Sequence, residues 1–309
     1  IERNTLANNR WGIYLQHAEM FDLAANRFAG NSKADVLQAE NVVGLVQHEI
    51  NEKFATPPRA KLVGPEVVKV GEPVTFDASG SSDPGGHPLS FRWQIQPGDS
   101  SDAAKLSHTF DEPGFYRIAL TVNNGLLSDL AWRDMYVIEE VEELGTESKP
   151  VGWSWHDPLS MVEFHEDREV RLVGESSLRA NIDPYGGSRV TLRYTLPDGP
   201  REIGHATHLV FWLKGRNENV PAWQNENPLV TLNGRTEKPL KLTPTRDFLG
   251  QPPHTEAREG WTYFEVPLAG NDDWNREGEL VNSVRSIEFG FDSWGAPPLV
   301  IWVDGVGLR

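Results

Sequence analysis

The sequence predicts an all-β chain: a short solenoid end followed by two β-sandwiches. Three observations carry this. Apolar residues alternate with polar ones over short runs, and amphipathic helix patterns are scarce. Glycine and proline, at 28 and 22 residues, cluster between those runs. A length of 309 residues exceeds one ordinary core, so two or three domains are expected.

Composition then narrows the partners. A net charge of −16 and a pI near 5.0 exclude a nucleic-acid surface, because phosphate binding needs a basic stripe. They equally disfavour anionic lipid. Cysteine is absent, which excludes a disulfide framework and thiolate metal sites but does not settle the compartment. No apolar run approaches about 18 residues, so no membrane span is expected. Eight of the 11 tryptophans follow Pro150.

Residues 1–56 carry an internal repeat. The run from Asn4 overlays the run from Asn26 with a period of about 22: Leu6 on Phe28, Ala7 on Ala29, Asn9 on Asn31. Such a repeat with Asn/Gly corners predicts stacked coils, apolar residues inward and asparagines bonding along the ladder. The pattern resembles the end coils of the right-handed parallel β-helix found in secreted polysaccharide lyases and glycoside hydrolases. Ile1 already falls inside a repeat. The chain is therefore expected to be the C-terminal part of a longer exported protein, with upstream coils as its immediate partner. Arg10, His17, Arg27, Lys33 and His48 are the ionisable candidates here, and no pair has a spacing that demands chemistry.

Residues 57–140 read as a sandwich of Ig-like size. Val74, Phe76 and Ala78 alternate, the turn formers SGSSDPGGHP follow, and Leu89, Phe91 and Trp93 alternate again. His108–Val122 supplies a turn at Glu112–Gly114, then Tyr116, Ile118, Leu120 and Val122 on alternate positions. VTFDASGSSDPGGHPLSFRW followed by HTFDEPGFYRIALTV resembles the PKD domain, an Ig-like module of extracellular proteins. The resemblance implies a spacer or adhesion role. QIQPGDSSD departs from the acidic, glycine-rich hairpin usual after the family's tryptophan. Asp77 and Asp83 are turn-forming carboxylates, with metal ligation as the alternative.

Residues 141–150, acidic and punctuated by Gly and Pro, predict a solvated linker.

Residues 151–309 carry about eight strand candidates at steady spacing: Glu169–Val173, Ser188–Leu196, Thr207–Lys214, Pro228–Asn233, Pro239–Leu242, Trp261–Leu268, Val284–Phe291 and Leu299–Val303. This predicts a jelly-roll sandwich. The order VGESSLRANI, ATHLVFWLKG, GWTYFEVPL, LVIWVDGVGLR resembles the galactose-binding-like sandwich of carbohydrate-binding modules. The resemblance implies a structural Ca2+, with Asp304 as the final-strand ligand and Glu163 or Glu166 as the early acid; a surface acid is the alternative.

Strand parity places Leu209, Phe211, Leu213, Phe264, Val266 and Leu268 inside. It leaves Trp212, Trp261, Tyr263, Arg193 and Glu265 outside, as a face on which sugar rings stack and find hydrogen bonds. The alternative is that Trp212 and Tyr263 are covered. Trp223, Trp274 and Trp294, each among Asn, Asp, Glu or Arg, predict a competing site at the loops.

His156-Asp157 and His165-Glu166-Asp167 lack the spacing of a zinc protease motif, and no GxSxG, P-loop or GxGxxG occurs. The visible domains therefore read as non-catalytic: a secreted or cell-surface polysaccharide-binding and spacer region. Two alternatives stand beside this. One is a structural or adhesive subunit that self-associates on a bacterial surface. The other is an accessory region of a lyase or hydrolase whose active site lies upstream.

Overall fold

A computed structural model describes residues 5–15, 27–38, 56–95, 101–145, 148–157, 159–183, 189–217, 225–234, 238–246, 248, 260–279, 282–292 and 299–309. Every regular element among them is a strand. The chain divides into two compact units, one of Ile1–Phe110 and Tyr116–Met135, the other of Asp111–Phe115 and Tyr136–Arg309.

In the first unit, β1 (Thr5–Ala7), β2 (Trp11–Leu15), β3 (Arg27–Ala29) and β4 (Ala34–Gln38) form two parallel pairs. The register of β1 on β3, Thr5 opposite Arg27, repeats the 22-residue period. β2 on β4 is one residue longer, Leu15 opposite Gln38, because the second copy carries an extra residue at its corner. Asn31 Oδ1 accepts from the Asn9 amide at 3.0 Å, and Asn31 Nδ2 donates to the Leu6 carbonyl at 2.9 Å. The Asn31 side chain thus bonds backbone groups of the first copy. His17 and His48 lie outside the described residues.

The Ig-like part follows: β5 (Val67–Lys69), β6 (Pro73–Asp77), β7 (Ser90–Gln94), β8 (Lys105–Thr109), β9 (Gly114–Asn123) and β10 (Ser128–Ile138). β5-β10-β9-β7 make one sheet, and β6 pairs β8 in another. Val74, Phe76 and Ala78 are buried, as their alternation predicts, and so are Trp93, Ile118, Leu120, Val122 and Met135. Asp77 and Asp83 serve turns. Asp77 accepts from the Ser79 amide at 2.8 Å, and Asp83 from the His87 amide at 2.8 Å and from Asn124 Nδ2 at 2.7 Å.

The second unit is the jelly roll. Its strands are β11 (Glu142–Glu143), β12 (Trp153–His156), β13 (Met161–Asp167), β14 (Ser177–Asp183), β15 (Arg189–Thr195), β16 (Arg201–Glu202), β17 (His208–Asn217), β18 (Asn225–Asn233), β19 (Leu240–Pro244), β20 (Thr262–Pro267), β21 (Trp274–Glu277), β22 (Ser283–Val284), β23 (Ser286–Asp292) and β24 (Leu299–Leu308). One sheet runs β13-β14-β24-β17-β20, with β11 added to β24. The other runs β12-β15-β23-β18-β19-β21. Between them lies one core, to which Leu192, Tyr194, Leu209, Phe211, Leu213, Phe264, Val266, Ile287, Phe289 and Phe291 all contribute. These residues face inward as parity predicts.

Two expectations are corrected. Glu169–Val173 is not a strand: Asp167 Oδ1 takes the Glu169 and Val170 amides at 3.0 and 2.9 Å, folding the chain into a turn. Val170, Leu172 and Val173 line an apolar cluster instead of a ladder. Nor is the acidic segment a solvated connector throughout. β11 pairs β24, Leu144 is buried in the core, and Glu142 bridges Arg201 and His205 at 2.8 and 2.7 Å. Those two partners hold the Glu142 carboxyl below its ordinary pKa, His205 most strongly.

Candidate functional site

The outer faces of the two jelly-roll sheets differ. On the sheet of β24, the row Tyr263–Trp212–Asp304 is set by the registers of β17 on β20 and β24. Trp212 and Trp261 are 2% and 5% exposed. They form a second apolar cluster with Leu172 and Trp302, against which Tyr136, Ile138, Val170, Val173 and Tyr263 also pack. The Tyr136 and Trp212 rings meet edge-on at 5.9 Å, and Trp212 meets Tyr263 at 5.0 Å. Tyr136 Oη accepts from the Trp261 amide at 3.1 Å.

The open aromatic face expected on this sheet is therefore covered. The turn at 168–173 and the end of β10 lie over it, so these rings fill a core and present no platform. Tyr263 donates its hydroxyl to Glu139, and burial together with that carboxylate pushes its pKa up. Glu265 is taken by Arg309, with His208 at 3.6 Å.

Asp304 lies in the same cluster, 1% exposed. Its Oδ2 accepts from the Leu172 and Val173 amides at 2.7 and 2.8 Å, and its Oδ1 from the Gly305 amide at 2.9 Å. Burial pushes its pKa up to about 6, opposed by those three donors. Calcium needs converging oxygens. Three N–H groups aimed at the carboxylate are the wrong donor set, so Asp304 fits a loop anchor and not a cation ligand. Glu166 accepts from Ser176 Oγ at 3.0 Å and Arg168 at 3.2 Å, and Glu163 is 72% exposed beside His165. Among the described residues no three His, Cys, Asp or Glu gather as a metal set.

Of the loop tryptophans, Trp274 is a strand residue, 2% exposed and stacked on Phe248 at 5.4 Å. It anchors the core. Trp223 and Trp294 lie outside the described residues.

The other sheet presents an open polar face. Register sets Ser154, Arg193, Glu288, Thr231 and Lys241 in one row across β12, β15, β23, β18 and β19. His156, Thr191, Gly290 and Leu229 form the next. Arg193 Nε donates to Glu288 Oε1 at 2.7 Å, and Asn233 Nδ2 donates to the same oxygen at 3.0 Å. The Glu288 side chain is only 14% exposed, so it is held rigidly, whereas Arg193 is 44% exposed.

Beside this trio Gly290 is buried. Gly290 has no side chain, and a Cβ there would sit 3.3 Å from Leu229 Cβ and 3.7 Å from Thr191 Oγ1. The face therefore sets a half-buried apolar side chain, Leu229, beside a hydrogen-bonding rim, Arg193–Glu288–Asn233. Among the described residues, Arg193 alone of the sequence-predicted site residues falls here. Glu288 is legible as an outward position, but Gly290 and Asn233 join it only through cross-strand register.

Comparison with known proteins bears mainly on the Ig-like part. Residues 55–129 match the family model described as PKD domain. Collagenase ColA of Clostridium perfringens is 30% identical over 95 residues, which make up 30% of this chain and 9% of that protein. The microbial collagenase of Vibrio alginolyticus is 31% identical over 99 residues, 30% of this chain and 12% of that protein. The chain thus spans about a tenth of the length of these relatives. Over most of the chain, a structure described under the promiscuous specificity of carbohydrate-binding modules is 16% identical, covering 82% of this chain and 99% of its own, with a TM-score of 0.34. The family 11 carbohydrate-binding module of the Clostridium thermocellum cellulase Lic26A-Cel5E is 12% identical, covering 55% and 94%, with a TM-score of 0.36. Such TM-scores do not by themselves establish a shared fold. The segment at residues 55–129 is thus similar to PKD domains.

Proposed function

We propose that the chain is a non-catalytic polysaccharide-binding and spacer region of an extracellular protein, with the sugar held on the Arg193–Glu288–Asn233 face of the jelly roll. The observation that carries this is the fixed hydrogen-bonding rim of Arg193, Glu288 and Asn233 beside the apolar Leu229. A pyranose offers an apolar C–H face and a ring of hydroxyls. Leu229 matches the first. Arg193, Asn233 and Glu288 match the second, and because Glu288 is already oriented, little side-chain entropy is lost on binding. The parallel β-helix coils and a surface location belong to the same reading, supported by the parallel pairing of the N-terminal repeat and by the PKD domain.

The test is titration of the full chain with a panel of soluble polysaccharides. Gly290→Val, whose Cβ would meet Leu229 Cβ at 3.3 Å, displaces the apolar side chain, and Arg193→Ala removes the cation of the rim. Both are expected to abolish binding to whichever polymer the unaltered chain takes up. Undiminished binding by Gly290→Val, with melting unchanged, would sink the assignment of this face.

A further inference from the structure

The Ig-like unit carries a second exposed surface that the proposed jelly-roll site does not use. Along β10, Leu130 and Trp132 are 53% and 62% exposed. Trp132 is a large apolar ring left in water on a regular strand, and its neighbours are fixed by register. Asn123 Nδ2 donates to Ser128 Oγ at 2.8 Å, and Arg117 pairs with Asp134 at 2.6 Å, which brackets the β9–β10 pairing. Between those two contacts Thr121 stands opposite Leu130 and Ala119 opposite Trp132. On the far side of β9, Arg92 pairs with Thr121 and Gln94 with Ala119. The rows across the sheet are therefore Leu130–Thr121–Arg92 and Trp132–Ala119–Gln94.

This makes a trough. Its floor is two small residues, Ala119 and Thr121. One wall is apolar, Leu130 and Trp132; the other is polar, Arg92 and Gln94. Strands sit about 4.8 Å apart, so the walls stand roughly 10 Å from each other, wide enough for one sugar ring lying on the floor. The reverse of the face is fully packed, with Ile118, Leu120 and Val122 at 0% exposure, so the trough is rigid.

Charge selects the occupant. The chain as a whole carries −16. On this face Asp134 is neutralised by Arg117, and among the described residues no carboxylate neutralises Arg92. The trough thus carries one uncompensated cation, Arg92, on an acidic protein. We infer that it binds a uronate-bearing polysaccharide, one pyranose stacked on Trp132 and a carboxylate paired with Arg92. This rests on the polysaccharide-binding reading and adds to it an independent contact on a different unit.

The experiment is affinity electrophoresis of the full chain in gels containing polygalacturonate, with a neutral β-glucan as control. Trp132→Ala and Arg92→Ala are each expected to weaken polygalacturonate retardation by roughly tenfold, the scale of an anchoring residue. Trp132→Phe should fall between, and added salt should weaken binding in the unaltered chain but not further in Arg92→Ala. Both positions are exposed, so melting should not change. Retention of full affinity by Trp132→Ala while Gly290→Val loses it would overturn this inference and leave the jelly-roll site standing. The reverse pattern would remove the jelly-roll site and support the trough. Equal retardation by the neutral glucan, absence of any retardation by polygalacturonate, or a change of sedimentation state in Trp132→Ala would each overturn it, the last by showing that a second copy covers the face.

Discussion

Replacing Trp212 by alanine separates a ring that binds from a ring that packs. On the strand pattern alone, Trp212→Ala should abolish sugar binding and leave stability intact. Its burial reverses both expectations. The ring is 2% exposed, stands edge-on to Tyr136 at 5.9 Å, and touches Tyr263 at 5.0 Å. Truncating a buried tryptophan costs about 3–5 kcal/mol, from lost transfer free energy plus the cavity left behind. A unit of this size loses about 2–4 °C per kcal/mol, so its melting transition should fall by roughly 6–20 °C. Differential scanning calorimetry reads this directly, with polysaccharide titration at low temperature, where the variant is still folded. Binding within about twofold of the unaltered chain is expected there, a change of under half a kcal/mol. An unchanged transition together with lost binding would refute the packing argument, since it would mean that the indole is free in solution.

Asp304→Ala removes one acceptor from three buried amides and should cost about 3 kcal/mol or more by thermal unfolding. Calcium and chelator should both leave the second unit's transition in place; a fall with chelator would mean that these oxygens do hold a cation. Asp304 and Asp83 act in opposite directions with pH. Burial raises Asp304 to about 6 when folded, so the folded state takes up its proton first, and this group's contribution to stability grows as pH falls from about 6 to about 4. Asp83 is lowered to about 2 by Asn124 Nδ2 and the His87 amide, so its contribution is full above about pH 4 and is lost as pH falls toward 2. Melting of Asp83→Asn against the unaltered chain across that window checks this, and parallel curves would refute it. Leu144→Ala, which opens a cavity behind β11, should cost about 2–5 kcal/mol by thermal unfolding. Glu142→Gln, on solvent-screened ion pairs, should leave the same transition nearly in place.

Much of the fold could be read from alternation, because a strand must bury one face. Val74, Phe76 and Ala78, and Leu209, Phe211 and Leu213, take the interior as their period demands. What alternation does not say is whether the opposite face is open. Trp212 and Trp132 both occupy outward positions on regular strands, yet one is sealed under Leu172 and Tyr136 while the other is bare. The difference lies in contacts from segments 40 and 76 residues away along the chain, which local pattern does not encode. Glu169–Val173 failed for a related reason: period two marks residues that share a side, and a turn folded over an apolar cluster supplies the same signal. Arg193 was legible as an exposed cation on a strand. Its partners Glu288 and Asn233 come from strands that meet it only through the pairing of β15 with β23 and β23 with β18.

The position of β24 has a consequence for how the protein is made. Residues 299–308 pair with β14 on one side and β17 on the other, so neither of those strands has its inner partner until this segment arrives. Synthesis delivers it after every other strand of the unit. Until then the nascent chain must carry Leu178, Ala180, Leu209, Phe211 and Leu213 on two open sheet edges, which are templates for pairing with another chain. Long-range closure of this kind is also slow, because the loop must be ordered before its contacts form. The unit is therefore committed to folding after, and not during, its emergence, and its yield in a cell should depend on chaperone capacity more steeply than that of the Ig-like unit made before it.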